Sequence, residues 1–299
     1  MNKSRWKTEL PLHIMILPAA ILVLIYSYGP MLGVYIAFQR FIPAKGMFGS
    51  HWVGLKNFID LYHMPDFSHV IFNTVFMAFF KMLGGIVVPV FFALLLNEVK
   101  NAKFRRSFQT LIYLPNFLSW VIMAAILADI LSPSDGIINR IIMGMGVKPV
   151  YFLGSSHWFP FTMIVSDIWK GFGFGTVVYL AALTGIDPEL YEAAIVDGAG
   201  RWRQTLSITL PGLKGIIVLM AVLSLGNILN AGFDQIFNLY SPQVYSTGDI
   251  LDTMVYRLGI EQAQFSIATA VGLFKSLVSL VFVVASYYMA DKFANYRVF

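Results

Sequence analysis

Long apolar stretches recur along this chain, and the shorter segments between them hold most of its charged residues. A helix needs about 20 residues to cross a hydrocarbon core that is roughly 30 Å thick. Six stretches reach that length. The pattern therefore predicts an all-α polytopic membrane protein, with 1–299 as a single transmembrane domain. The six spans are expected near residues 11–39, 70–96, 107–131, 159–186, 215–239 and 266–290.

The first apolar stretch runs without a charge from Pro11 to Gln39, after three basic residues. A secretory signal peptide begins in the same way, but its apolar run is shorter and a small-residue cleavage site follows it. We therefore expect this stretch to be retained as a span. Pro18 and Pro30 predict a kink or tilt within it.

Composition excludes several other classes of protein. Hydrophobic residues make up 58% of the chain and charged residues only 12%, against about 25% charged in soluble domains. There is no cysteine, so disulfides and thiolate chemistry are excluded. The five histidines are scattered without metal-ligand spacing. We expect no cofactor and no metal in this chain.

The distribution of Lys and Arg predicts the orientation. With the N-terminus inside, the four inner segments hold 12 of the 21 Lys and Arg in 57 residues, and the three outer segments hold 6 in 83 residues. This bias of about threefold follows the positive-inside rule and predicts that both termini are cytoplasmic. The net charge of +5 thus reflects topology, and we expect no nucleic-acid partner.

The longest inner segment, 187–214, is predicted to form a helix–turn–helix elbow on the cytoplasmic face. Asp187 is a good N-cap and Pro188 suits the first helical position. Gly198 is placed to end this helix in a left-handed turn. A second helix is then expected to run to Pro211, where the fifth span starts.

The elbow carries a motif that resembles the permease subunits of type I ABC importers, which depend on an extracytoplasmic binding protein. That motif is Glu-Ala-Ala, three residues, Gly, nine residues and Ile-x-Leu-Pro. It reads here as Glu192-Ala193-Ala194, Gly198, Ile208, Leu210 and Pro211, with every spacing kept. Three further stretches resemble the oligosaccharide and polysaccharide branch, namely Gly54-Leu55-Lys56-Asn57-Phe58, Tyr113-Leu114-Pro115 and 240–258.

The resemblance implies a coupling helix that fits a groove of a separate ATPase subunit. Its residues would be Glu192, Ala193, Ala194, Asp197, Gly198 and Pro211. The implied partners are a second homologous permease subunit, two ATP-binding-cassette ATPase subunits and an extracytoplasmic solute-binding protein or lipoprotein, in a bacterial inner or plasma membrane. No GxxxxGK[ST] loop is present, so ATP and Mg²⁺ would be bound by the partner ATPases. An amphipathic helix lying on lipid head groups is the alternative, but such helices are usually basic and this one starts acidic.

Polar residues in the fifth predicted span are candidates for the solute path. Asn227, Asn230 and Asp234 share one helical face by their i, i+3, i+7 spacing, and Gln235 follows them. Amides and a carboxylate suit a hydroxyl-rich, sugar-like solute. Hydrogen bonds between helices explain such residues equally well.

Three lysines also lie within predicted spans. Lys170 is expected to pair with Asp167, three residues earlier on the same helix. For Lys81 and Lys275 the sequence is compatible with two positions, at the lipid interface or facing the translocation path.

Two other classes of function compete with an ATP-driven importer. An ion-gradient-driven secondary transporter would be expected to show inverted repeats with interrupted spans, and no internal repeat is evident. A membrane scaffold or enzyme is the other, but no nucleophile–base constellation is present.

Overall fold

A computed structural model describes the backbone of residues 3–294 and the side chains of residues 9–289. The described chain is helical except for one two-stranded sheet. Its helices are α1 (Lys3–Val23), α2 (Gly46–Gly49), α3 (Lys56–Tyr62), α4 (Phe67–Glu98), α5 (Ala102–Tyr113), α6 (Trp120–Ile130), α7 (Ile137–Gly144), α8 (Trp158–Leu183), α9 (Pro188–Val196), α10 (Arg201–Gln204), α11 (Leu210–Leu225), α12 (Phe233–Leu239), α13 (Tyr245–Gly248), α14 (Leu251–Tyr256) and α15 (Phe265–Ala294).

The first apolar stretch changes its pitch where proline interrupts it. After α1, a π-helical turn covers Leu24–Tyr28 and a 3₁₀ run covers Gly29–Phe38. Pro30 has no N–H for the carbonyl of Tyr26, and the wider π turn relieves the clash between the ring and that carbonyl. Large apolar side chains remain exposed along this segment, as expected of a helix that faces lipid.

The chain divides into two compact units. One contains residues 3–64 together with Val255–Phe274, and the other contains Pro65–Met254 together with residues 275–294. In the first unit, strands β1 (Gln39–Arg40) and β2 (His51–Trp52) pair antiparallel.

The segment around this strand pair is fixed by buried amides. Asn57 donates to the carbonyls of Ala37 and Gln39, at 2.7 and 2.9 Å. The Gln39 side chain donates to the carbonyls of Met47 and Ser50, at 2.9 and 3.2 Å. This segment is therefore an ordered surface and not a flexible tether.

In the second unit, the long helices α4 and α8 pack along each other and carry the core. One cluster of buried side chains includes Met77, Met123, Phe159, Met163 and Ile236. A second cluster forms around Tyr179 and Leu213. The functional segments described below are attached to this helix pair.

Two of the predicted spans are not continuous helices. The third, predicted at 107–131, is two helical segments that meet at 106° between Phe117 and Trp120. The Ser119 hydroxyl caps the second segment by accepting from Ile122 N at 3.3 Å. The fifth, predicted at 215–239, ends as a helix at Leu225 and resumes only at Phe233. The expectation of unbroken helices is wrong at both places.

Several helices of the described chain are long and apolar enough to cross a membrane. By length and composition there are four, or five if the bent pair Ala102–Phe117 and Trp120–Ile130 is one span. The four are Glu9–Phe38, Phe67–Glu98, Arg201–Leu225 and Phe265–Met289. Helix α8 has 26 residues, which is sufficient length, but Asp167 and Lys170 make it less apolar than these four.

Candidate functional site: an exposed elbow and a polar cavity

The first candidate site is the predicted elbow, and its first helix has the expected caps. The Asp187 carboxylate accepts from Glu189 N at 2.9 Å and starts α9. At the other end Gly198 has φ of +76°. The N–H of Ala199 donates to Ala194 O at 2.8 Å, and that of Gly198 donates to Ile195 O at 3.0 Å. These two bonds define a Schellman turn, which needs a left-handed residue where Gly198 lies.

The second helix of the elbow does not stop where the sequence predicted. Helical structure continues from Arg201 to Leu225, so no boundary separates the elbow from the following long helix at Pro211. A π-helical turn at Thr205–Thr209 immediately precedes this proline. The widened turn accommodates a residue that has no N–H, as it does near Pro30. The elbow is thus joined rigidly to α11.

Side-chain bonds fasten the elbow to neighbouring helices. Arg201 donates to the Glu98 carboxylate at the end of α4, with an N–O distance of 2.8 Å. Tyr191 and Thr209 share a hydroxyl–hydroxyl bond of 2.9 Å between α9 and the π turn. Gln204 also donates to Ala199 O at 2.8 Å, which braces the turn after Gly198.

Several apolar side chains of the elbow are exposed. Val196 is 87% exposed and Trp202 is 76% exposed, and Ile195 and Leu190 are also exposed. Exposed apolar surface is a common feature of interaction sites. Of the predicted coupling residues, Glu192, Ala193, Asp197 and Gly198 are exposed and Ala194 is half-buried. A hollow of about 260 Å³ beside them is lined by Ala194, Asp197, Ala199, Arg203, Gln204, Ser207 and Ile208.

The second candidate site is a polar cavity at the break between α11 and α12. Its volume is about 410 Å³, and helices α4 and α8 and residues 223–232 line it. Asn227 and Asn230 are exposed and face this cavity, together with Lys81 and Asp167. The backbone N–H of Asn230 donates to Asn227 O at 2.8 Å, so these two residues belong to a turn. They do not lie on the helical face that was predicted.

The other two predicted path residues lie elsewhere. Asp234 is exposed but does not line the cavity, and its backbone carbonyl accepts from Asn238 at 2.7 Å. Gln235 is fully buried and donates to Met163 O and Ser166 Oγ, both at 2.8 Å. The helical spacing that grouped these residues fails because the helix is interrupted before them.

The predicted ion pair between Asp167 and Lys170 is not formed. Asp167 Oδ1 instead lies 3.9 Å from Lys81 Nζ on α4. Lys170 donates to Asn116 O at 3.1 Å, and its Nζ lies 5.5 Å from the centre of the Trp120 ring. Spacing along one helix suggested the wrong partner because each side chain finds a better one on a neighbouring helix.

The third in-span lysine, Lys275, has an acidic partner, since its Nζ lies 2.5 Å from Asp252 Oδ1.

Among the side chains at 9–289, no group of three His, Asp or Glu is arranged to hold a metal ion.

Comparison with known proteins assigns the family. The family described as "Binding-protein-dependent transport system inner membrane component" matches residues 85–295, which include both the elbow and the cavity. The chain belongs to this family. It is therefore a multi-pass permease of the inner membrane, and a non-catalytic component of an ABC transporter.

Two proteins of Bacillus subtilis (strain 168) are similar to this permease over nearly its whole length. The polygalacturonan/rhamnogalacturonan transport system permease protein YteP is 43% identical over 95% of this chain and 88% of its own. Protein LplB is 40% identical over 98% of this chain and 91% of its own.

Solved structures agree in fold. A chain of a bacterial ABC transporter involved in the import of the acidic polysaccharide alginate superposes with a TM-score of 0.90 and 39% identity, over 97% of this permease and 98% of that chain. A chain of the bacterial alginate transporter, in complex with a periplasmic protein bound to an alginate pentasaccharide, gives the same score and identity over 99% of both chains.

Proposed function

We propose that this permease forms half of the translocation path for an oligosaccharide or polysaccharide, paired with a second homologous permease subunit. An extracytoplasmic solute-binding protein delivers the solute, and two partner ATPase subunits bind and hydrolyse ATP. The observation that carries this proposal is the similarity to the alginate transporter over 99% of both chains. The polygalacturonan/rhamnogalacturonan permease YteP, at 43% identity, supports the same class of solute.

Residues 187–211 would couple ATP hydrolysis to transport. The exposed apolar side chains beside Glu192 and Ala193 offer a surface for a partner protein, and Glu192 offers a charge for its Arg or Lys. The continuous helix from Arg201 to Leu225 would carry motion from that surface towards the cavity. Closure of the two ATPases would in this way rock the spans between inward and outward access.

Asn227 and Asn230 would contact the solute in the cavity. Each side-chain amide offers both donors and an acceptor, which is what sugar hydroxyls require. A path built at an interrupted helix is also a recurring feature of membrane transporters, because irregular backbone is tolerated where it lines a cavity. Asp234 and Gln235 remain sequence-based candidates that have no position in this cavity.

The solute class is tested by purifying the whole transporter with its binding protein and identifying the bound ligand by mass spectrometry. We expect an oligosaccharide, and uptake of the same compound into proteoliposomes should require ATP inside. A peptide, amino acid or metal ion as the bound ligand would overturn the solute assignment. Uptake that needs an ion gradient and no ATP would instead favour a secondary transporter.

A further inference from the structure

The break between α11 and α12 leaves backbone groups without partners inside a helix. Residues 226–232 lie within the predicted fifth span, and Ala231 is fully buried. A carbonyl buried without a hydrogen bond at membrane depth costs several kcal/mol. Such a break therefore needs a donor supplied from a neighbouring helix.

Lys81 on α4 is that donor. Its Nζ donates to Ala231 O at 2.7 Å and to the Gln235 side-chain oxygen, and it lies 3.9 Å from Asp167 Oδ1. An ammonium group has three N–H donors and no acceptor. Two of its donors are used by Ala231 O and the Gln235 oxygen, while the Asp167 carboxylate is a longer-range ion-pair partner. The Lys81 side chain is only 7% exposed.

Gln235 extends these bonds to α8. Its amide nitrogen donates to Met163 O and Ser166 Oγ, while its oxygen accepts from Lys81. Between Ala231 and Gln235 the backbone turns at Gly232, where φ is +90°. A Cβ added at this glycine would lie 3.1 Å from Lys81 Nζ. Helices α4 and α8 therefore hold both the last residues of the break and the first turn of α12.

We propose that Lys81 is a positioning residue that fixes the break and so places Asn227 and Asn230 in the cavity. Only the last step, contact of these two amides with solute, rests on the proposed function. Lys81 acts through the backbone, because its two hydrogen bonds go to Ala231 O and to the Gln235 side chain, and both of these groups belong to the break or to the helix that follows it. The side chain of Asp167 is more accessible, with 35% of it exposed, and its carboxylate balances the charge of the buried Lys81 ammonium.

The holding step can be tested without any solute. The chain has no cysteine, so one introduced thiol gives a unique signal. Leu229 lies in the break and is 3% exposed. In the full transporter we would measure the rate at which N-ethylmaleimide labels Leu229→Cys, first with Lys81 present and then with Lys81→Met. We expect labelling at least about tenfold faster without Lys81, because bonds to a charged donor are among the strongest that hold the segment.

Lys275→Met is the matched control. It removes another in-span lysine with an acidic partner, Asp252, but leaves every bond to the break intact. Labelling of Leu229→Cys should stay within about twofold of the parent rate in this variant. Equal rates in the Lys81→Met and Lys275→Met backgrounds would overturn the proposal, whether or not the transporter imports a saccharide.

If Lys81→Met does not accumulate in membranes, Ser166→Ala provides the test. This change removes one anchor of Gln235 and leaves no unpaired charge. We expect labelling to rise about threefold, against no change for Thr162→Ala, whose hydroxyl bonds only to Trp158 O of its own helix. An unchanged rate in Ser166→Ala would contradict the proposal.

Discussion

Single residues in this permease take their roles from partners on other helices. Lys81 meets Asp167 and Gln235, which lie 86 and 154 positions away along the chain. Spacing within one helix predicted an Asp167 pair with Lys170 instead, because i,i+3 neighbours are the only contacts that a sequence displays directly. Gly198 is the opposite case. The requirement for glycine is local there, so the sequence revealed it.

Replacing Gly198 by leucine should separate ATP hydrolysis from transport. A side chain at φ of +76° costs about 1–2 kcal/mol, which would reshape the turn after α9, the helix that we propose contacts the ATPase. We expect normal amounts of protein in the membrane but a large loss of solute uptake per ATP hydrolysed in proteoliposomes. Gly200→Leu is the control, since Gly200 has φ of −66° and open space around it. Normal uptake in Gly198→Leu would count against the coupling role.

Helical elements were predictable where their signals are local and failed where they are not. The caps of α9 at Asp187 and Gly198 could be read from residue type, because each satisfies backbone groups within four positions. The break after Leu225 was not predicted, although Gly226 and Gly232 lie within the stretch that was predicted as one span. It is stabilised by Lys81 and Gln235, whose contacts exist only once α4 and α8 have packed.

The ion pair between Glu98 and Arg201 provides a prediction at the level of elements. It ties the C-terminal end of α4 to the start of α10, with both side chains about half exposed or more. Exposed pairs contribute at most about 1 kcal/mol to stability, so we expect little change in thermal stability from Glu98→Arg. Two positive charges at this contact should instead push the elbow away from α4 and lower uptake per ATP in proteoliposomes.

The swapped pair Glu98→Arg with Arg201→Glu is the matched variant. It restores opposite charges at the same two positions, so we expect coupling to recover towards the parent value. If uptake per ATP is as low in the swapped variant as in Glu98→Arg, the ion pair does not contribute to coupling. The deficit would then come from charge at the ATPase surface.

At the level of the whole molecule, composition and hydropathy gave the class of protein, and one motif gave the family. The class follows from properties summed over the chain, and the family follows from a local motif. Neither depends on how the helices pack. The position of the polar cavity is not a property of that kind. Asn227 and Asn230 line this cavity, but from a turn and not from the helical face that was predicted. Gln235 was included by the same reasoning, and it has a different role in the structure.

Orientation in the membrane is the property of the whole chain that remains to be measured. The excess of Lys and Arg in residues 1–10, 97–106, 187–214 and 291–299 predicts that these segments are cytoplasmic. Ala102 and Ser134 are both exposed and lie in segments predicted to face opposite sides. In right-side-out vesicles, a membrane-impermeant maleimide should label Ser134→Cys and spare Ala102→Cys, and inside-out vesicles should reverse the pattern. If Ala102→Cys were the one labelled from outside, the elbow would face away from the compartment that supplies ATP, and the coupling mechanism would be untenable.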